Sequence, residues 1–483
     1  MEVNMKENPV VIKNEEYDID IVDIGYEGEG IGKYKGFTII VPGALDTEKA
    51  RVKIVKVNKN LAFGKLISIK IGSRDRVEPI CSIYKRCGGC QLQHLSYGGQ
   101  LKYKSKRVKE CIERIGGISD VVIEPIIAME HPYNYRNKVQ LPVRKENGEI
   151  QIGFYAPRSH NIINMDSCLL QNDEAEKVIE ILKAWMKLYN MEAYNEETDA
   201  GLIRHIMVRN AYKTNEVMVV LVTNERNIPS IEELLISLKE NIPNLKSIIQ
   251  NININKTNLI LGRECVTLWG KDTISDNIGS LSFNISPLSF FQVNPIQTEK
   301  LYNKVLEYAD LKGSETVFDA YCGTGTISLF LAKASKKVYG IEIIPEAIEN
   351  AKLNGAENGI NNAEFIVGKA EEAIPELINK GIIAEVVVVD PPRKGCEERL
   401  LIEIGKMAPE KIIYVSCDPA TLARDLKIIV GFGYKVTKVQ PVDMFPMTAH
   451  VETVVLIEKG FVVDEKTSAT LKKPLQKHEK EAR

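Results

Sequence analysis

The chain has no run of about 18 consecutive apolar residues, the least a bilayer-spanning helix needs, so neither a transmembrane helix nor a membrane partner is expected. Its first residues, Met1-Glu-Val-Asn-Met-Lys-Glu-Asn8, lack the charged-then-apolar pattern of a secretion signal, and a cytoplasmic location is expected. Cysteine is too sparse for a secreted disulfide scaffold: nine thiols, an odd number, in 483 residues. Thiols are therefore expected to act as ligands or catalysts. No internal repeat occurs, and no feature calls for an obligate protein partner. A net charge of -2 gives no global pull towards nucleic acid. What remains is a soluble chain, 44% hydrophobic and 27% charged, long enough for two to four domains.

Charge is concentrated locally instead. Nine cations (Lys49, Arg51, Lys53, Lys56, Lys59, Lys65, Lys70, Arg74 and Arg76) face one acid, Asp75, in the stretch 49–76. A second block holds Lys102, Lys104, Lys106, Arg107 and Lys109. Either block could neutralise phosphates or simply be a solvated face. The first lies in a region, 9–70, of short apolar runs (17–22, 36–42, 50–57 and 62–67) separated by turns such as Gly25-Tyr-Glu-Gly-Glu-Gly-Ile-Gly32. This pattern predicts a small OB-like barrel of five strands, and the stretch resembles the TRAM domain, an RNA-binding unit.

Cys81, Cys87 and Cys90, with Gly-Gly between the last two, are spaced so that three thiols can converge, and Cys168 is the best candidate for a fourth. Four thiolates suit tetrahedral zinc or a [4Fe–4S] cluster equally. Cys111, in a helical pattern, and Cys265 read instead as small buried hydrophobes. The central region, 71–285, alternates strands and helices in an α+β pattern. Paired core strands are expected at 202–209 and 217–222, and an amphipathic helix at 232–241. His131-Pro-Tyr-Asn-Tyr-Arg-Asn-Lys138 sets aromatics beside cations, a combination suited to stacking on unpaired bases.

From 286 to 460 the pattern is that of a Rossmann-like α/β domain. Thr316-Val-Phe-Asp-Ala-Tyr-Cys-Gly-Thr-Gly-Thr-Ile327 predicts strand, glycine turn and helix start, with glycines allowing a cofactor close to the backbone. Glu342 ends the next strand, 19 residues after Gly323, where an acid can accept ribose hydroxyls. The turn lacks the third glycine of a dinucleotide fingerprint and looks like an S-adenosylmethionine site. The apolar runs 386–389 and 412–415 end at Asp390-Pro-Pro-Arg393 and Ser416-Cys-Asp-Pro419, placing Asp390 and Cys417 beyond the carboxyl ends of buried parallel strands. Gln292 and Asn294 are polar positions among apolar residues in a loop that enters a helix. A thiolate at Cys417 could add to carbon 6 of a pyrimidine and make carbon 5 nucleophilic, and Glu452 is placed to remove the carbon-5 proton. Other readings of the same pattern are methylation of an exocyclic amine, which needs no thiol, and a non-catalytic RNA-binding protein.

Together these motifs resemble the RNA uracil-5-methyltransferase family, specifically its iron–sulfur branch acting on 23S ribosomal RNA, over residues 9–458. The resemblance implies that Cys81, Cys87, Cys90 and Cys168 hold a [4Fe–4S] cluster. It implies that Gln292, Tyr321, Glu342 and Asp390 contact S-adenosylmethionine, that Cys417 is the nucleophile and that Glu452 is the base. Tyr321 and Thr326 stand where some relatives have Phe and Asn. Transfer RNA is the alternative substrate. The implied organisation is a TRAM barrel (9–70), a central cluster-bearing domain (71–285), a methyltransferase domain (286–460) and a charged tail (461–483) expected to be disordered.

Overall fold

The computed structural model describes residues 10–460; residue 9 and the tail from 461, with the disorder expected of it, lie outside the described residues. Strands Glu16–Ile24, Gly30–Tyr34, Phe37–Val41, Lys49–Val57 and Leu61–Ile71 close a barrel in the order first, second, third, fifth, fourth. Ile19, Ile21, Ile39, Val41, Val52 and Ile54 fill it. The second strand arises inside the glycine-rich stretch expected as a turn. Gly30 and Gly32 serve there because the interior has no room for a side chain: a Cβ on Gly32 would lie 2.4 Å from Ile19 Cγ2.

Folding changes the meaning of both basic blocks. Arg51 pairs with Glu16 and Asp18 at 3.1 and 3.2 Å, Lys70 with Asp18 at 2.5 Å, and Arg76 with buried Glu48 at 2.5 Å. All three acids lie outside the basic stretch in sequence. Lys56, Lys59 and Lys65 remain exposed and make no ion pair among the described residues. The second block is spent on docking. It lies on helix Tyr97–Arg114, where Lys102 meets Asp75 (3.4 Å), Lys106 meets Asp23 (2.6 Å) and Lys104 meets Asp443 (2.5 Å), the last pair fully buried. Lys104 is thus withdrawn from any phosphate, while Lys102 and Lys109 stay largely exposed.

A seven-stranded sheet forms the centre, in the order Glu264–Gly270, Leu245–Ile252, Val217–Thr223, Ile203–Asn210, Lys138–Glu146, Glu149–Tyr155 and Ile162–Asn164. Helices Asp173–Leu188 and Ile231–Asn241 share its core. The runs expected to pair do so: Ile203–Asn210 is antiparallel to Val217–Thr223. Two side chains depart from expectation here. Tyr135 is only 3% exposed and its hydroxyl donates to the Pro446 carbonyl at 3.0 Å, so this ring braces two segments and cannot stack on a base. Cys265 is exposed on the strand Glu264–Gly270, not a buried hydrophobe.

The third sheet has eight strands, in the order Ala363–Val367, Lys337–Glu342, Thr316–Ala320, Val386–Val389, Lys411–Ser416, Glu452–Lys459, Tyr434–Val442 and Val122–Ile123. The first five are mutually parallel, and Glu452–Lys459 runs antiparallel to both of its neighbours. Val386–Val389 is buried throughout, as β-branched residues covered on both faces should be. Two segments preceding residue 286 pack on this sheet. Helix Tyr97–Arg114 inserts Val108 and Ile112 beside Leu422 and Leu426, and hairpin Ile274–Ile285 hydrogen-bonds through the Ser282 and Asn284 amides to Asn358 and Asn354.

Lys104 Nζ also donates to the Phe445 carbonyl at 2.9 Å, and Tyr97 donates to the second oxygen of Asp443 at 2.9 Å. Removing one partner of a fully buried pair strands the other charge in a low-dielectric interior. Lys104→Ala is therefore expected to destabilise the protein by ~3–5 kcal/mol in denaturant titration, and Lys104→Met with Asp443→Leu to recover most of that loss.

Candidate active site

Four loops meet where the parallel strands end. Residues 321–325 follow Thr316–Ala320, Asp390 follows Val386–Val389, and Cys417 follows Lys411–Ser416. Glu452 begins the antiparallel strand, whose start lies at the same edge. Ser416 pairs with Thr453, so the next step of the ladder faces Cys417 towards Glu452. The edge also spans the switch point between Thr316–Ala320 and Val386–Val389, whose outgoing connections run to opposite sides of the sheet, a ligand-binding crevice in open α/β sheets.

The turn after Thr316–Ala320 is shaped for close approach. Tyr321, Gly323 and Gly325 have φ of 66°, 55° and 79°. A Cβ on Gly323 would meet nothing within 4 Å, so the backbone there faces open space; one on Gly325 would lie 2.9 Å from Ala351 and Phe365. Glu342 closes the turn, accepting from the Gly323 amide at 3.3 Å and the Ile344 amide at 3.0 Å. Each carboxylate oxygen keeps a lone pair for a ligand hydroxyl. The Asp319 Oδ1 and Tyr321 hydroxyl are buried without a protein partner. Open space beside Gly323, a strand-end carboxylate and orphaned polar atoms fit a nucleoside-bearing donor. Thr326, at the helix start, hydrogen-bonds to the buried Tyr302 hydroxyl at 2.8 Å.

Buried negative charge dominates the electrostatics. Burial pushes Asp319 and Asp390 up to about 7, and burial with neighbouring Asp390 pushes Glu452 up to about 8. The half-buried Cys417 thiol is pushed up to about 12, first by burial and then by Glu452 and Asp390. Arg393 opposes these shifts at both Cys417 and Glu452. Arg393, at the end of Asp390-Pro-Pro-Arg393, has no sequence signal that points to this role. Its Nη2 lies 3.4 Å from His450 Nε2, and burial beside cations, with Arg393 foremost, pushes His450 down to about 4, keeping it a neutral neighbour.

The supporting side chains divide clearly. Asn294 is satisfied within the fold: its amide donates to the Met444 carbonyl at 2.9 Å and its oxygen caps helix Pro295–Ala309 through the Gln297 amide at 3.2 Å. Gln292 is anchored by its main chain, whose carbonyl accepts from Asn137 at 3.0 Å. Asp418 caps helix Pro419–Val430 through the Ala420 and Thr421 amides at 2.9 and 3.1 Å.

The other thiol group lies elsewhere. Cys81, Cys87, Cys90 and Cys168 line one cavity of about 270 Å³, with Arg136, Lys138 and Phe154 among its walls. Burial pushes Cys90 up to about 12, and the other three thiols add to that shift. Among the described residues, no three His, Cys, Asp or Glu side chains form a site for a single metal ion. The four thiols that line this cavity are the donor set of either a tetrahedral zinc or a [4Fe–4S] cluster.

The family profile described as tRNA (uracil-5-)-methyltransferase matches residues 96–460, and the TRAM domain profile matches residues 11–67. A Clostridium tetani protein named an uncharacterized RNA methyltransferase is 60% identical over 94% of this chain and 98% of its own. A Bacillus cereus protein of the same name is 49% identical over 95% and 99%. The crystal structure of Pyrococcus abyssi tRNA (uracil-54, C5)-methyltransferase with S-adenosyl-L-homocysteine superposes with a TM-score of 0.74 at 30% identity, covering 91% of this chain and 99% of that one. The chain belongs to the tRNA (uracil-5-)-methyltransferase family, S-adenosylmethionine-dependent enzymes acting on RNA, and carries an N-terminal TRAM domain.

Proposed function

We propose that this enzyme methylates carbon 5 of a uridine through a covalent bond between Cys417 Sγ and carbon 6 of the base. The observation that carries this reading is the meeting of Cys417, Asp390 and Glu452 at one sheet edge, each carboxylate raising the thiol. Cys417, once deprotonated, adds to carbon 6, and the electron pair of the 5,6 double bond moves to the carbonyl at carbon 4 as an enolate. Carbon 5 is then nucleophilic. S-adenosylmethionine supplies an electrophilic methyl group on a positively charged sulfur. Glu342 would hold its ribose, and Gln292, Tyr321 and Asp390 would line the rest of its site. After transfer, Glu452 takes the carbon-5 proton, the 5,6 double bond re-forms and Cys417 leaves as thiolate. The target base must be unpaired or flipped, because a thiolate cannot reach carbon 6 inside a stacked helix.

We assign the substrate to ribosomal RNA, 23S in particular, on the resemblance of the barrel and the four-cysteine set to that branch. Transfer RNA is the second reading, favoured by the Pyrococcus abyssi structure. Because that likeness runs over 91% of this chain, the overall architecture does not separate the two substrates. We also propose that Cys81, Cys87, Cys90 and Cys168 hold a [4Fe–4S] cluster that folds the central domain and shapes an RNA-facing surface.

With RNA carrying 5-fluorouridine, wild-type protein is expected to form a denaturation-resistant adduct, since fluorine cannot leave as a proton. Cys417→Ala should form none and should lose methyl transfer by on the order of 10⁴-fold. Transfer retained in Cys417→Ala would move the reading to an exocyclic amine. The mapped nucleotide, in 23S or transfer RNA, decides the substrate.

Glu452 accepts a proton only when ionised, so resolution of the methylated adduct should quicken as pH rises through about 8. Rapid-quench kinetics on natural RNA should show that dependence. In Glu452→Gln the methylated adduct should persist at every pH, and prompt release there would remove Glu452 as the base. Anaerobically purified protein should contain iron and sulfide in equal amounts, lost together in Cys87→Ser; zinc without sulfide would contradict the cluster.

A further inference from the structure

The barrel region packs Leu45 and Ile24 into a small apolar cluster with Ala449, and one of its side chains reaches the loop that carries Cys417. Tyr26 lies in the turn between strands Glu16–Ile24 and Gly30–Tyr34, and its hydroxyl donates to Asp418 Oδ2 at 2.5 Å, across 392 residues of sequence. The other oxygen of Asp418 already holds the Ala420 and Thr421 amides. One carboxylate, adjacent to Cys417, is thus gripped from both sides, by the helix it caps and by the barrel.

The Tyr26 ring is fixed in turn. The Arg107 guanidinium stacks over it at 4.0 Å, and Arg107 Nη1 donates to the Ala449 carbonyl at 2.7 Å, three residues before Glu452. Tyr103, one helical turn from Arg107, donates to the Gly25 carbonyl at 2.8 Å and holds the turn itself. The Asp418 carboxylate holds the Tyr26 phenol above its usual range, as a donor to an anion should be.

We propose that Tyr26 is a positioning residue, through which the RNA-binding barrel orients the Cys417 loop by way of Asp418 and, with Arg107, the loop that leads to Glu452. This rests on Cys417 being the nucleophile. A hydrogen bond to a charged acceptor immobilises a loop more strongly than a neutral one, and covalent attack is sensitive to small misplacements. The barrel is then part of the catalytic apparatus as well as a grip on RNA. Tyr26 itself touches no reacting atom.

Tyr26→Phe tests this, because it deletes only the hydroxyl of a half-exposed ring and leaves the barrel core untouched. Three quantities are measured on the full-length protein: amide hydrogen exchange at Ala420 and Thr421 without RNA, single-turnover adduct formation with 5-fluorouridine RNA, and RNA affinity. Exchange at both amides is expected to rise roughly tenfold as the Asp418 carboxylate loses its second anchor. Adduct formation at saturating RNA is expected to slow by roughly tenfold, with RNA affinity unchanged. Unchanged exchange and unchanged adduct rate overturn the inference, as does slowing that disappears once RNA saturates the variant. If wild-type protein forms no adduct, the covalent mechanism fails, and Tyr26 with it as a positioner of the nucleophile; slower adduct formation at saturating RNA together with faster exchange at Ala420 and Thr421, against an active wild type, supports the clamp.

Discussion

The strand Glu452–Lys459 runs against both of its neighbours, and the catalytic edge depends on that reversal. Eight residues at about 3.3 Å each span roughly 26 Å, so a parallel strand in the same place would carry its first residue to the far side of the sheet. Reversed, it delivers Glu452 to the edge where Asp390 and Cys417 emerge. Its pairing to Lys411–Ser416 over six consecutive residues fixes which acid faces the thiol, since a slip of one residue would turn the strand's side chains to the opposite faces.

Burial makes the three carboxylates at this edge costly to ionise, with Asp390 adding to the cost at Asp319 and Glu452, and each holds its proton near neutral pH. Tyr302 lies buried beneath them and feels all three, its own ionisation pushed up first by burial. Ser328 donates to Asp319 at 2.5 Å and offsets part of the cost for that residue. A pocket so built favours positive charge and disfavours a second anion. It therefore suits a cationic methyl donor, while making Cys417 harder to ionise until positive charge is near. Arg393 is the protein's own counterweight, lowering both Cys417 and Glu452.

Much of this edge was legible in the sequence because it follows from local pattern. Four consecutive valines before Asp390, an apolar run before Cys417 and a glycine turn after Asp319 each announce a strand end, and strand ends in such sheets converge. The four cysteines were likewise legible by spacing and do line one cavity, though what fills it was not. The errors came from long-range pairing. Lys104 looks like any lysine in a basic helix until Asp443, 339 residues away, meets it in the core. Tyr135 looks like a stacking aromatic until Pro446 accepts its hydroxyl. Tyr26 sits in a turn whose glycines attract the eye, and nothing local links it to Asp418.

Helix Tyr97–Arg114 explains how these distant contacts coexist. Residues three and four apart share a helix face, so Tyr103 and Arg107 both point at the barrel turn, while Lys104, Val108 and Ile112 point into the catalytic core. Lys106, just off the first of these faces, reaches Asp23 on the barrel's opening strand. The apolar residues alone would hold the helix against the sheet, but they tolerate sliding by a turn. A buried lysine that finds only one carboxylate, and a tyrosine and an arginine that find particular carbonyls, do not. The polar contacts thus contribute register more than adhesion, which is the property needed to keep the TRAM barrel aligned with the sheet edge that carries Cys417 and Glu452.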